Sequence, residues 1–318
     1  MGEPLVAHSS IANLVTKGFL DIDLITRVVG VCPYCNGELR EYIEHTKDRP
    51  PRCPPFYMHE QTISVTRGKT KVVWSGCGYK AMKKREETIV EEKLSDAIKG
   101  EAFGFMKRNS VFTDHSVWCK SFESYKEIDA ETKLAKAKAL SFIKDLNVPN
   151  SSAHIFVSGK TGVGKTHLGA AIVFEYLKQN NYKKECLLVS YRELLEQLKF
   201  AMNDAEARKK ITGEVMREIK GADLVLIDDL GANLGSFDFS KPLSKDNQPI
   251  TSPTGYDTDT LNSLFEARME KATIITTNLS SQHIKQLYGE RVYSRIVNNV
   301  GNRFIKFEST PDKRITGI

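Results

Sequence analysis

The sequence predicts an α/β fold in which a parallel five-stranded sheet lies between helices, preceded by a small cysteine-bearing N-terminal domain and a helical linker. Three observations carry that expectation. Five short apolar runs alternate with helical segments between residues 154 and 307, and Val, Ile and Leu runs separated by helices indicate parallel strands covered on both faces. The first run leads directly into a glycine-rich turn, GKTGVGKT, at 159–166. Four of the six cysteines crowd into residues 32–77, well before that pattern begins.

The bulk properties fit two domains. A chain of 318 residues, 40% hydrophobic and 27% charged, can bury a sizeable core. No apolar stretch approaches the roughly 20 residues of a membrane helix, and the first ten residues lack a basic region followed by a hydrophobic one. A cytoplasmic protein with no membrane partner is expected. Lys and Arg number 46 against 40 Asp and Glu, a net charge of +6 that is spread along the chain. That balance permits contact with nucleic acid without requiring it.

Taken in order, residues 83–106 form a charge-dense pattern in which Val90, Leu94 and Ile98 share a helical face, which reads as a connecting helix. Residues 128–146, rich in Ala, Lys and Leu, read as a second helix that ends in the breakers of NVPNSS. The strands are expected at 154–158, 186–190, 223–228, 272–277 and 303–307, with helices near 165–179, 191–202, 207–220 and 258–270. Residues 231–257 stand apart, with Gly, Ser, Pro and Asp but no apolar periodicity. A segment of that length is too long for an ordinary connection, so it reads as a mobile surface insertion or a loop that orders on a partner or on DNA.

The turn Gly159, Lys160, Thr161, Gly162, Val163, Gly164, Lys165, Thr166 satisfies GxxxxGK[ST] between a strand and a helix. Gly159, Gly162 and Gly164 let the backbone aim successive amide hydrogens inward, where they and the helix N-terminus attract phosphate. Lys165 brings a mobile positive charge to the β and γ phosphates of ATP, and the Thr166 hydroxyl can ligate Mg²⁺. The run LVLIDD at 224–229 delivers two carboxylates to the sheet edge where ligands bind in open α/β folds. Asp228, directly after the apolar run, is the Mg²⁺ partner, and Asp229 is placed to polarise the attacking water. Asn278 closes the strand ATIITTN and can present its amide beside the γ phosphate. Arg291 and Arg295, four residues apart in ERVYSRIVNN, share a helical face. A solvated basic face would explain the pair, but phosphoryl transfer also gains from a guanidinium set against the developing charge.

The series P-loop, LVLIDDLG, ITTN and ERVYSRI resembles the AAA+ ATPases of the bacterial replicative-helicase loader group, the DnaC and DnaI type. The resemblance spans about 122–314 and includes the lead-in SFESYKEIDAETKLAKAKALSFIKD. It implies that Asn278 is sensor 1 and that Arg295 is an arginine finger reaching into a neighbouring subunit's site. A basic residue after the last strand serves as sensor 2 in such proteins, and of Lys313 and Arg314 we assign Arg314. The sequence departs from the group in having Asp229 where most AAA+ proteins carry Glu, which implies slow hydrolysis, while the finger Arg295 implies that hydrolysis depends on assembly. It departs again in the length of the 231–257 insertion.

The cysteines Cys32, Cys35, Cys53 and Cys77 read as a closed structural Zn²⁺ site. A CxxC turn offers two thiolates, and tetrahedral zinc needs two more ligands. His59 or His45 can replace Cys53 as the third ligand, because the spacing after Cys35 is irregular. Free buried thiols or a redox CxxC would be the alternatives, but no βαβ pattern surrounds Cys32. In DnaI-type loaders a zinc-bearing N-terminal domain grips the helicase, and the resemblance carries that architecture to this chain.

The expected organisation is therefore a zinc-binding, helicase-interacting adaptor at 1–105, a linker at 106–121 and an AAA+ ATPase domain at 122–318. The expected function is ATP-dependent loading of the replicative helicase onto single-stranded DNA by a self-associating ATPase. A transposition helper ATPase of the IstB type, acting with a transposase on duplex DNA, is the nearest alternative. A P-loop kinase acting on a small molecule would explain the glycine-rich turn but not the ordered motifs after it.

Overall fold

The computed structural model of the protein describes residues 26–31, 38–42, 61–66, 69–74 and 79–315 apart from 236 and 240, with side chains from residue 87 onward. The chain divides into two units, Met1–Leu94 and Ser95–Ile318.

In the first unit, β1 (Thr26–Val31) pairs antiparallel with β2 (Glu38–Tyr42), and β3 (Gln61–Thr66) pairs with β4 (Lys69–Trp74). Val, Ile, Thr and Trp recur in them, residues that suit a pleated, half-buried surface. None of these strands was anticipated from the sequence, where the cysteines alone drew notice. The candidate zinc ligands Cys32, Cys35, Cys53 and Cys77, with His45 and His59, lie outside the described residues. Helix α1 (Tyr79–Asn109) is longer at both ends than the expected connecting helix. Its last turns belong to the second unit, where Met106 is fully buried and the Phe103 ring stacks on Phe174 at 6.2 Å.

The second unit is built on β5 (His154–Gly159), β6 (Cys186–Ser190), β7 (Leu224–Leu230), β8 (Ala272–Thr277) and β9 (Phe304–Phe307). All pairings are parallel and the order is β6-β7-β8-β5-β9. Helices α2 (Ala130–Leu146) and α3 (Lys165–Gln179) supply one face, α4 (Tyr191–Ala201), α7 (Gly255–Ala267) and α8 (Ser281–Val297) the other. Alternate strand residues explain the two layers. Leu188, Leu224, Leu226 and Ile274 join the α2–α3 core, while Leu187, Val225, Ile227 and Ile275 join the opposite one. Burying each such side chain contributes about 1.5–3 kcal/mol. At Gly169 the backbone of α3 lies so close to β7 that a Cβ would stand 2.7 Å from Leu226 Cδ1. That approach holds the helix carrying Lys165 and Thr166 against the strand carrying Asp228.

Two segments differ from the sequence expectation. The helix expected at 207–220 is present over 205–221, but it is not α-helical throughout: α5 (Ala205–Arg208) passes through a π-helical stretch (Lys209–Val215) into α6 (Met216–Gly221). Helix α7 starts at Gly255, inside the expected insertion, because Thr254 and Asp257 form a capping box. The rest of the insertion is held by one of its own side chains and by His283 of α8. The Asn247 amide donates to the carbonyls of Asp238, Lys241 and Pro242, and His283 Nε2 lies 2.9 Å from the Lys241 carbonyl. Among the described residues no helix is long and apolar enough to cross a membrane.

Candidate nucleotide-binding and hydrolysis site

The site forms at the C-terminal ends of β5, β7 and β8, where the chain leaves the sheet. Gly162 and Gly164 adopt φ of 81° and 99°, a region open to glycine at no steric cost. The turn closes on Lys165, which is 6% exposed. Its ammonium donates to the carbonyls of Gly159 (2.9 Å) and Lys160 (2.8 Å) and to Asn278 Oδ1 (2.7 Å). Burial pulls the Lys165 pKa down, with Asp229 and Asp228 opposing that shift. One ammonium thus joins the glycine-rich turn to the end of β8.

Across from the turn, the Thr166 hydroxyl donates to Asp228 Oδ2 at 3.0 Å. Asp228 is 5% exposed, and burial pushes its pKa up to about 6 despite hydrogen bonds from Thr276 and Thr166. A buried carboxylate with a hydroxyl beside it is an electrostatically incomplete arrangement that a cation would relieve. Thr166 and Asp228 therefore fit a divalent metal such as Mg²⁺, with phosphate oxygens and water completing its shell.

Asp229 reaches the same edge through a backbone irregularity. Successive side chains of a regular strand point to opposite faces, so two adjacent acids should diverge. Here the β7–β8 register shifts between Ile227 and Leu230, a bulge that sets both aspartates opposite Thr276. Asp229 takes φ 57°, a strained value for a residue with a side chain and a common mark of functional sites. The Thr276 hydroxyl serves both acids: it donates to Asp228 Oδ1 (2.6 Å) and accepts from the Asp229 amide (2.9 Å). Thr277 repeats the device, donating to the Leu230 carbonyl at 2.6 Å. Asn278 Nδ2 completes the group with a long contact to Asp229 Oδ1 at 3.4 Å.

Gly159, Lys160, Thr161, Gly162, Val163, Gly164, Lys165, Thr166, Asp228, Asp229 and Asn278 thus converge on one sheet edge. Arg295 does not join them in this chain: on α8 it donates to Asn262 Oδ1 (2.8 Å) and pairs with Glu266 (3.1 Å), both on α7. Arg314 is exposed and follows Lys313, whose amide donates to the Gly162 carbonyl of the turn at 3.1 Å. The alternative sensor residue, Lys313, turns its ammonium to the Lys126 carbonyl (2.7 Å) and over the Tyr125 ring (4.2 Å). Sequence reasoning missed Thr276 and Thr277, although two adjacent hydroxyl side chains at the end of a buried strand were a visible signal. It also missed His167, whose Nε2 meets the Ser121 carbonyl at 2.9 Å and ties the lead-in segment to α3.

Comparison with known proteins finds the following similarities. Residues 106–299 match the family of IstB-like ATP binding proteins. The replicative helicase loader DnaC of Escherichia coli strain K12 is 25% identical over 228 residues, covering 68% of this chain and 82% of that protein. The DnaC of Buchnera aphidicola subsp. Acyrthosiphon pisum is 29% identical over 180 residues, 55% of this chain and 62% of its own length. A crystal structure of DnaI aligns with 22% identity and a TM-score of 0.48, covering 63% of this chain and 96% of that one.

Proposed function

The chain belongs to the family of IstB-like ATP binding proteins and is an ATPase, and from that premise we propose that it binds a replicative DNA helicase and loads it onto single-stranded DNA. One observation carries the choice of partner: the similarity to the E. coli helicase loader extends over 68% of the chain, a longer stretch than the family match. In this reading the zinc-bearing adaptor that grips the helicase lies in the first unit, ending near Leu94 rather than 105, and residues 106–121, expected as a linker, pack with the motor through Met106, Val111 and Val117.

On binding of ATP, the amides of the 159–166 turn cradle the phosphates, and Lys165 exchanges its carbonyl partners for phosphate oxygens. Thr166 and Asp228 would hold Mg²⁺, which would supply positive charge to the phosphates when bound. Asp229 accepts the proton of the attacking water, positioned by Asn278, as the water oxygen bonds to the γ phosphorus and the bond to the β-phosphate oxygen breaks. Arg295 serves a neighbouring subunit's nucleotide and Arg314 serves its own, so hydrolysis is slow in the lone chain and rises on assembly.

The test is a pulldown with the full chain. Recovery of a hexameric helicase, with ATP-dependent transfer to single-stranded DNA, is the expected result. Recovery of a transposase instead would favour a transposition helper acting on duplex DNA. Elemental analysis should return one zinc per chain in protein purified without chelator, and none would remove the adaptor's metal. Phosphate release without a small-molecule acceptor would exclude a kinase.

A further inference from the structure

Glu131 lies in the first turn of α2, yet the end of that helix is already capped by Asp129 and Thr132. Its carboxylate turns to the far end of the chain. It accepts the amides of Glu308, Ser309 and Thr310 within 3.0–3.2 Å and the Thr310 hydroxyl at 2.7 Å. Three successive amides aimed at one anion make a concave anion-binding backbone. Burial pushes this carboxyl upward, but the hydrogen bonds from Thr310 and Ser309 outweigh it and hold the pKa at about 2. Thr310 is itself buried at 4% exposed, while Glu308 and Ser309 stand at the surface, so only the Thr310 end of the anchor is shielded from water.

Beyond this anchor the chain crosses the glycine-rich turn. The Lys313 amide donates to the Gly162 carbonyl at 3.1 Å, and the Arg314 amide donates to Asp312 Oδ1 at 2.8 Å. A Cβ at Gly162 would stand 1.9 Å from Asp312 Oδ1, and one at Gly164 would stand 3.3 Å from Lys313 Nζ. Residues 308–314 thus form a strap seated directly on the phosphate-binding loop, pinned at one end by Glu131.

We propose that Glu131 is a positioning residue for the nucleotide site, clamping the C-terminal strap so that Arg314 is held over bound ATP. The proposal rests on the nucleotide site described above and adds a residue to which the sequence analysis gave no role. A brace that merely stabilised the fold would predict the same contacts, so the test must separate the two.

The experiment measures Mg–ATPγS affinity by calorimetry for the wild type, Glu131→Gln, Arg314→Ala and the double variant. Glu131→Gln loses the charge that the three amides share and should weaken binding roughly tenfold, the effect of about one charge-assisted hydrogen bond. Because Glu131 acts through Arg314, the double variant should bind no more weakly than the weaker single one. Trypsin should cut after Arg314 faster in Glu131→Gln, and Glu127→Gln, on the same lead-in segment, should leave affinity unchanged. Unaltered affinity in Glu131→Gln, unaltered affinity in Arg314→Ala, or additive losses in the double variant would each overturn the proposal. A wild type that fails to bind Mg–ATPγS would instead overturn the nucleotide site itself.

Discussion

The two ends of β8 both bury charge, and they satisfy it in opposite ways. Beside the first residues of the strand, Arg268 is fully buried, and its guanidinium donates to the carbonyls of Ile219 (2.7 Å), Ala222 (3.0 Å) and Ala272 and to Thr273 Oγ1 (3.0 Å). Burial pushes its pKa down to about 9, which leaves it a cation at neutral pH. At the other end, Asp228 receives only two hydroxyl donors, and its pKa has risen to about 6. The first network is closed and brings α6, α7 and β8 together. The second remains open to a ligand. A buried polar group whose partners are all protein belongs to the fold, and one left short of partners at a sheet edge marks chemistry.

The largest effect is expected where the closed network is broken. Arg268→Met leaves three carbonyls and a hydroxyl without their donor, and losing one side of a buried network costs about 3–5 kcal/mol. Chemical denaturation should show that loss, while nucleotide affinity per folded molecule stays at the wild-type level. A variant that stays as stable as the wild type would show that these acceptors find other donors, and the comparison would fail at this end.

Asp228→Asn should do the reverse. The folded-state pKa of Asp228 lies above its ordinary value of 3.8, so folding favours the protonated form. The stability this group contributes is fully present below pH 3.8 and is lost as pH rises through about 6. Above that window the metal-free protein carries a buried charge costing on the order of 3 kcal/mol. Asparagine removes it, so the variant should be more stable than wild type at pH 7.5 and nearly equal to it at pH 4, while ATP hydrolysis falls to background. Equal stability at both pH values would mean that Asp228 is solvated in the native protein.

How much of this was legible beforehand depended on sequence distance. The apolar runs placed all five strands of the sheet because each was long enough to bury on both faces. The turn at 159–166 and the acids Asp228 and Asp229 were legible because their motifs are local. Features that depend on remote partners were not. Nothing near Glu131 indicates that it grips residues 308–310, and nothing in LVLIDD reveals the bulge that turns Asp229 beside Asp228. The start of α7 was misplaced by three residues because Thr254 lies in a Pro- and Gly-bearing stretch that reads as loop until its box with Asp257 is seen. The hairpins of the first unit were overlooked because the cysteine spacing masked the alternation in QTISVT and KTKVVW.

Thr276→Val sharpens the comparison on a smaller scale. Valine keeps the shape but removes the donor to Asp228 and the acceptor for the Asp229 amide, a loss of about 1–3 kcal/mol. Since the Thr276 hydrogen bond lowers the Asp228 pKa, the variant should need more Mg²⁺ for half-maximal hydrolysis, and its activity should rise at higher pH than that of the wild type. An unchanged Mg²⁺ requirement would leave the hydroxyl with a purely structural role.

The smallest change in stability should come from Arg295→Ala, because its partner Glu266 is 59% exposed at the side chain and ion pairs of that kind contribute about 0–1 kcal/mol. Unlike Arg268, this guanidinium has no closed network around it. Its bonds to Asn262 and Glu266 hold it between α7 and α8, with its side chain 15% exposed, without consuming every donor, and such an arrangement suits a group that must serve a second chain. ATP binding should therefore persist in the variant, and the lone chain's slow hydrolysis should not change. Only the rise in hydrolysis with protein concentration should vanish, and mixing the variant with Lys165→Ala, which cannot hold nucleotide but supplies an intact Arg295, should restore part of it. If the variant keeps its concentration-dependent turnover, the guanidinium belongs to the surface of its own chain, and the residue that crosses between subunits must be sought elsewhere, with the exposed Arg291 one turn earlier on α8 as the first to test.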